Sequence, residues 1–470
     1  MNKRTKIIAT IGPASASREM IYKLIEEGVN LFRFNLKHNS HKWHQEKINL
    51  VRNISEDLSK KIGIIGDLQG PDIRIGNLSK EELILTPGKE VYFEESITEE
   101  ESIELDSKFL KALNVKQEIV IDDGNHRLIV TEKINDKKIK AKVEIGKTLT
   151  SKKGVFFPDL EINLPVLSEK DLKDIRLLSK LNAEYAALSF VRGKKDIEDL
   201  QKIIKKYKSN TKVIAKIETL KAVKNIDEIL EVSDALMIAR GDLGVEMYLE
   251  AVPALQRKLI EKGIKSGKPV IVATQMLKSM IDSPTPTRAE ISDVANASFD
   301  KADAVMLSEE TAIGKYPDKA VHFMARTLKY NEMLNPLNTN IALITKTQSE
   351  AVVLAADNLQ QNLKKTGQSP KAFIVLTESG KTARLLSATR PELPIIAFTP
   401  KEFVSRALSL SWGVESHTTI FKGTIDESVR EILKKLVLDR TIEKGDSVII
   451  ISGQNVGVTG RTDSLRILEV

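Results

Sequence analysis

Ionisable and hydroxyl side chains recur at one kind of place in this sequence: the polar end of a short run of β-branched and apolar residues. Arg33 and Asn35 close one such run and Asp67 the next. Ser189, Lys216 with Glu218, Arg240 with Asp242, Thr274, and Ser308 with Glu310 close the following five. A charge at the end of an apolar strand must face a site or be paired, because burying it alone is too costly. Any one of these reads more simply as an inter-strand pair or a cap, but together they define a site. Glu218 and Asp242 offer only oxygen, a donor set suited to Mg²⁺ or Mn²⁺ with positions left over for water and substrate oxygens. The plainer alternative, two carboxylates neutralised by Lys216 and Arg240, wastes four buried charges. Arg33 and Lys216 add fixed positive charge beside such an ion, the arrangement that catalyses phosphoryl transfer when little covalent work is asked of the protein. No histidine or cysteine is placed as a nucleophile, so direct transfer between bound substrates is expected rather than a phosphoenzyme.

The elements that must position these groups follow from the same runs. Residues 6–12, 30–36, 61–68, 184–191, 211–218, 235–242, 269–276 and 304–310 are near-continuously apolar, and amphipathic helical stretches lie between most of them. That alternation predicts a parallel sheet covered on both faces, and eight such strands predict a (β/α)₈ TIM barrel with its site at the strand C-terminal ends. The pattern breaks over residues 71–156, where short alternating strands and the turn signal Asp122-Asp123-Gly124 predict a β-rich lid inserted after strand three. Six glutamates between positions 94 and 104 read as a solvated edge of that insert. The expected divisions are barrel 1–70 and 157–335, lid 71–156, a linker at 335–340, and a C-terminal α/β domain over 341–470. Ser168 and Thr287 each fit capping-box spacing at a helix start; Ser168 reads as a cap, while Thr287 and Arg288 also lie near a strand end.

Composition excludes several classes. The 470 residues, 41% apolar, suffice for about three domains with buried cores. The absence of cysteine excludes disulfide scaffolds and thiolate chemistry and predicts an intracellular, cytoplasmic protein. Lysine and arginine (72) exceed aspartate and glutamate (65), yet aromatics make up only 5% and no basic block interleaves with them, so nucleic-acid binding is not expected. No apolar run approaches the roughly 20 residues of a membrane span.

The strand-end residues sit in longer motifs. Lys6-Ile7-Ile8-Ala9-Thr10-Ile11-Gly12-Pro13-Ala14-Ser15, Arg33-Phe34-Asn35, Asp67 with Gly70-Pro71-Asp72-Ile73-Arg74, Ala215-Lys216-Ile217-Glu218, and Ala239-Arg240-Gly241-Asp242-Leu243-Gly244 are followed by Ala273-Thr274-Gln275-Met276-Leu277, Pro286-Thr287-Arg288-Ala289-Glu290, and Met306-Leu307-Ser308 through Glu310-Thr311-Ala312. In that order, across the whole chain, this set resembles the pyruvate kinases. The resemblance implies phosphoryl transfer from phosphoenolpyruvate to ADP, giving pyruvate and ATP in the last step of glycolysis. It implies that Glu218 and Asp242 bind Mg²⁺ or Mn²⁺, and that Ser189 and the backbone from Ala239 through Arg240 and Gly241 to Asp242 receive substrate. Lys216 and Arg33 would hold the phosphoryl group, and Thr274, Ser308 and Glu310 would manage the proton. Asn35, His38, Arg74, Asp123 and Lys153 would meet the nucleotide. A phosphorylated activator would be gripped by the loop Thr377-Glu378-Ser379-Gly380-Lys381-Thr382, whose plainer reading is a turn and a cap. A homotetramer is implied as well.

Three departures from the family pattern bear on chemistry, and a smaller fourth lies at the lid hinge. Lys37 stands where a serine supplies a hydroxyl to K⁺, in the region of Asn35, Asp67 and Leu68, so activity without K⁺ is expected. Leu68-Gln69 replaces threonine-lysine. Glu309 stands where glycine is frequent between Ser308 and Glu310, and Phe156 replaces an asparagine at the lid hinge. Two alternatives accompany the main reading: a weakened paralogue that senses a metabolite, and another Mg²⁺-dependent phosphoenolpyruvate or pyruvate enzyme on the same barrel.

Overall fold

Eight parallel strands close into a barrel in this computed structural model: Lys6–Thr10, Leu31–Asn35, Gly63–Asp67, Tyr185–Leu188, Lys212–Ile217, Ala235–Ala239, Val270–Ala273 and Ala304–Leu307. All residues are described except 1–2, 72, 123, 159, 161–164, 335–342, 422 and 454–461. Each strand pairs with its neighbour in chain order, and Lys6 stands opposite Ala304 where the first strand meets the eighth. The interior is filled by Ile8, Leu31, Ile65, Tyr185, Ile214, Met237, Ile271 and Met306 with small alanines between them. This is the layered packing of large and small side chains that a barrel of this size requires. Gly66 is needed on its strand because a Cβ there would fall 2.3 Å from Leu178 of the helix Glu169–Lys180.

The second and third strands reach their polar ends, Asn35 and Asp67, whereas the fourth to eighth stop one to three residues before the ends that their sequence runs suggested. The sixth ends at Ala239, and Arg240 and Asp242 belong to the helix Arg240–Glu246; the eighth ends at Leu307, and Glu310 lies in the helix Glu309–Ala312. These residues are therefore carried by helix starts and tight turns rather than by strands.

The described chain divides into two compact bodies. One comprises residues 1–68, 169–240 and 253–470, and joins the barrel to the C-terminal α/β part. In that part the sheet runs Val414–Thr418, Ile395–Thr399, Phe373–Leu376, Ser447–Ser452 and Ser464–Glu469, parallel except for the last strand. Its contacts lie at the strand starts, opposite the site. Lys6 Nζ donates to the Val414 carbonyl (2.7 Å) and the Tyr185 hydroxyl to that of Ala407 (2.8 Å). Glu184 accepts from Arg52 and Arg406, and Arg390 pairs with Asp303.

The second body, residues 69–168 with 241–252, is β-rich. A six-stranded sheet is built largely from Glu90–Glu94, Glu118–Ile121, His126–Asn135 and Lys138–Ile145, over a core that includes Phe93, Phe109 and Phe157. Its glutamates are paired with lysines, Glu94 with Lys138 (2.6 Å) and Glu101 with Lys89 (2.7 Å). Among the described residues no helix is long and apolar enough to cross a membrane.

Candidate active site

Lys216, the penultimate residue of the fifth strand, is the hub of the barrel's C-terminal face. Its ammonium lies 2.8 Å from Glu218 Oε1, 3.3 Å from Asp67 Oδ1, and donates to Ser189 Oγ at 2.8 Å. Asp67 also receives Arg33 Nε at 2.7 Å. Arg33 Nη1 donates to Thr10 Oγ1, which in turn donates to the Leu307 carbonyl. Burial alone would push the Asp67 carboxyl up; the Lys216 ammonium first and the Arg33 guanidinium second outweigh it and hold the group below the usual carboxylate range. Glu218, 2% exposed, takes the Phe190 amide on Oε2 at 2.6 Å. Ser189 Oγ donates to the Leu68 carbonyl at 2.8 Å. The site thus holds its cations in fixed positions against carboxylates, which costs no reorganisation when charge develops on a guest.

Thr274 follows the seventh strand directly with φ 67°, and Gln275 has φ 56°. The Thr274 hydroxyl donates to the Ala273 carbonyl at 2.6 Å. Glu310 is buried and accepts from Leu277 N (3.2 Å), three residues beyond Thr274, and from Ser308 N (2.7 Å). Burial pushes its carboxyl up, and those amides offset this only in part. Glu309 is exposed and takes ordinary helical backbone, so replacing glycine leaves no strain there.

Arg240 departs from the alternative in which it neutralises a metal-binding carboxylate. Its fork is bidentate to Asp293 of the helix Arg288–Phe299, at 2.7 Å on each oxygen. Thr287 proves to be that helix's cap, in a reciprocal box with Glu290.

The remaining expected residues are distributed as follows. Asn35 Oδ1 accepts the Lys37 amide at 3.1 Å, Lys37 and His38 are exposed, and the His38 carbonyl lies 2.8 Å from His44 Nε2. Leu68 is buried in the core. Ala239 closes its strand, and Gly241 and Asp242 lie in the first turn of the next helix, within the second body. In that body Arg74 Nη1 donates to the Lys152 carbonyl (2.7 Å) and Lys153 pairs with Asp122 (3.0 Å). Asp123 lies outside the described residues. Phe156 pairs with Val120 at a sheet edge. In the C-terminal part, Thr377 Oγ1 accepts the Gly380 amide and Ser379 Oγ that of Lys381, while Thr382 Oγ1 shares a hydrogen bond with Thr462. Gly380 caps the helix Lys381–Ala388 at φ 77°, a conformation glycine adopts freely. Thr10, Thr311 and Asp293 are site-building residues that strand-end reasoning passes over, since none closes a run.

A closed barrel whose strand ends fix a lysine and an arginine against buried carboxylates has the charge arrangement of the barrel enzymes that transfer phosphoryl groups. The family model described as "Pyruvate kinase, barrel domain" matches residues 2–321, and "Pyruvate kinase, alpha/beta domain" matches residues 350–468. A pyruvate kinase of Staphylococcus epidermidis is 40% identical over 99% of this chain and 80% of its own length. One of Methylorubrum extorquens is 38% identical over 99% and 97%. A solved pyruvate kinase from Cryptosporidium parvum superposes with a TM-score of 0.92 at 32% identity, covering 99% of this chain and 96% of the other. The chain belongs to the pyruvate kinase family.

Proposed function

We propose that this enzyme moves the phosphoryl group of phosphoenolpyruvate onto ADP, releasing pyruvate and ATP. The observation that carries the reading is the Lys216 ammonium, fixed between Asp67 and Glu218 with Arg33 across the same carboxylate. The enol oxygen–phosphorus bond breaks, a bond forms from phosphorus to the β-phosphate oxygen of ADP, and the enolate takes a proton at its methylene carbon. Lys216 and Arg33 hold the charge of the phosphoryl group in passage. Thr274, with Ser308 and Glu310 behind it, manages the proton, and Ser189 with the backbone from Ala239 to Asp242 receives the substrate.

Glu218 and Asp242 are the residues that would hold Mg²⁺ or Mn²⁺. The donor chemistry fits: Glu218 spends one oxygen on an amide and the other on an ammonium, and an ionised carboxylate has about four lone-pair positions in all. Two carboxylates leave the remaining positions of such an ion to water and substrate oxygens. When bound, such an ion supplies charge stabilisation to phosphate and enolate oxygens. Asn35, His38, Arg74, Asp123 and Lys153 are assigned to the nucleotide by family pattern.

The same reading includes turnover without K⁺. Lys37 replaces the hydroxyl ligand, Asp67 already carries two cations, and the Leu68 carbonyl is taken by Ser189. It also includes a phosphorylated activator at Thr377, Ser379, Gly380, Lys381 and Thr382, where loop hydroxyls and amides meet a helix start, a cytoplasmic location and a homotetramer.

Pyruvate formation from phosphoenolpyruvate, assayed with and without ADP and Mg²⁺, tests the proposal. Turnover that needs both supports it; pyruvate without ADP points to another barrel enzyme, and binding without turnover to a sensor. Lys216→Met is expected to lower kcat by about 10²–10³-fold. Replacing K⁺ with a bulky organic cation leaves the rate in place; its loss overturns the K⁺ reading alone.

A further inference from the structure

Thr274 and Gln275 are two successive non-glycine residues in the left-handed region, at φ 67° and 56°. A β-branched residue there is a genuine outlier, and such outliers persist only where the surroundings over-determine them. The surroundings are on the page. Arg240, its side chain 12% exposed, donates from Nη2 to the Thr274 carbonyl at 2.8 Å. The same Nη2 lies 2.7 Å from Asp293 Oδ2 and 2.8 Å from Met276 Sδ, and Nη1 meets Asp293 Oδ1 at 2.7 Å. Asp293 is itself immobilised in the helix Arg288–Phe299, whose capping Glu290 reaches back to Ser279 N at 2.7 Å and Ser279 Oγ at 2.5 Å. The segment from Thr274 to Ser279 is thus gripped at both ends by one helix. A planar fork that satisfies a carboxylate with two nitrogens and a carbonyl with one of them is something a lysine cannot reproduce.

We infer that Arg240 and Asp293 form a positioning pair for Thr274, holding the left-handed turn that sets its hydroxyl, and that the pair governs proton delivery to the enolate rather than phosphoryl transfer. This rests on the proposed reaction. Neither residue needs to touch the reacting atoms. If the turn relaxes, the phosphoryl group still passes from phosphoenolpyruvate to ADP past Lys216 and Arg33, which are held by Asp67, Glu218, Ser189 and Thr10. The enolate then leaves as enolpyruvate and is protonated in solution, on either face.

The test compares the intact enzyme with Asp293→Asn and Arg240→Lys, using phosphoenolpyruvate labelled stereospecifically with hydrogen isotopes at its methylene. The products are followed as ATP, as enolpyruvate and as the configuration of the pyruvate methyl group. The expected result is one configuration from the unaltered enzyme. The variants lose about tenfold or more in kcat, as misplacement of a reacting group does, keep KM for phosphoenolpyruvate within about twofold, and give scrambled methyl groups with free enolpyruvate. Configuration is read per product molecule, so a partly unfolded sample does not mimic it, and Arg240→Lys keeps the charge beside Asp293 if Asp293→Asn fails to fold. Retained configuration in the variants, whether at full rate or with KM raised in step with the loss of kcat, overturns the inference. An unaltered enzyme that makes no pyruvate overturns the proposed function instead.

Discussion

At the scale of single residues, the most consequential group is Asp67, 2% exposed and held between Lys216 and Arg33. Its carboxyl lies below the ordinary value of about 3.9 because those two cations outweigh its burial. A carboxyl depressed on folding contributes stability that is fully present above its unfolded value and is lost as pH falls through its folded value. Urea unfolding followed from pH 6 downward is therefore expected to lose stability more steeply below about pH 5 in the unaltered chain than in Asp67→Asn, which cannot titrate; equal slopes would refute this. The identity of Asp67 was legible because it closes an apolar run. Its partners were legible only in part: Lys216 and Arg33 close runs of their own, whereas Thr10, which orients Arg33, sits at a strand end that ran on smoothly into apolar Ile11 and gave no polar signal. Arg240 was legible by position but its partner was not, since Asp293 lies 53 residues further on and no spacing rule links them.

The elements were legible where local chemistry and burial agree. Eight apolar runs became eight strands, because a strand covered on both faces leaves no polar alternation to confuse the pattern. The ends were less so: the sixth and eighth runs continue as helices from Arg240 and Glu309, and hydrophobicity does not register that change of backbone. The short strands Glu82–Ile84 and Val414–Thr418 carry no such signal, being defined by the neighbours they pair with, and half exposed or split by polar residues. The capping box at Thr287 is the opposite case, announced by its spacing and formed in full, with Glu290 Oε2 accepting the Thr287 amide at 2.8 Å. Thr287→Ala is expected to cost about 1 kcal/mol, in the range of ordinary caps, read as a lower midpoint in denaturant with an unchanged slope. Because Glu290 also binds Ser279, Glu290→Ala should cost more than Thr287→Ala. The reverse order would show that the link to Ser279 contributes nothing.

At the scale of the whole molecule, the change in sequence pattern near residue 335 gives no sign of how the barrel and the C-terminal α/β part are joined. The barrel and the C-terminal sheet fall in one compact body. The junction explains why: Arg390 and Asp303, with side chains 1% and 4% exposed, pair at 2.8 Å, and Asp303 also accepts the Trp412 and Val270 amides. The Trp412 ring meets both the Arg4 and Arg390 guanidinium groups, whose carbons are 5.1 and 5.3 Å from its centre. A buried pair of this kind is expensive to break, about 3–5 kcal/mol when one partner goes, because the other charge is left without compensation. The chain has two tryptophans, Trp43 on the barrel helix His41–Asp57 and Trp412 at the junction. Single-tryptophan variants, Trp43→Phe and Trp412→Phe, therefore report barrel and junction separately. Their fluorescence transitions in denaturant are expected to coincide, as a cooperative unit requires. Arg390→Met should move both to lower denaturant together, by an amount corresponding to about 3–5 kcal/mol. If only the Trp412 signal moved and the barrel signal stayed, the C-terminal part would be unfolding alone, and the junction would have to be regarded as a contact between independent domains.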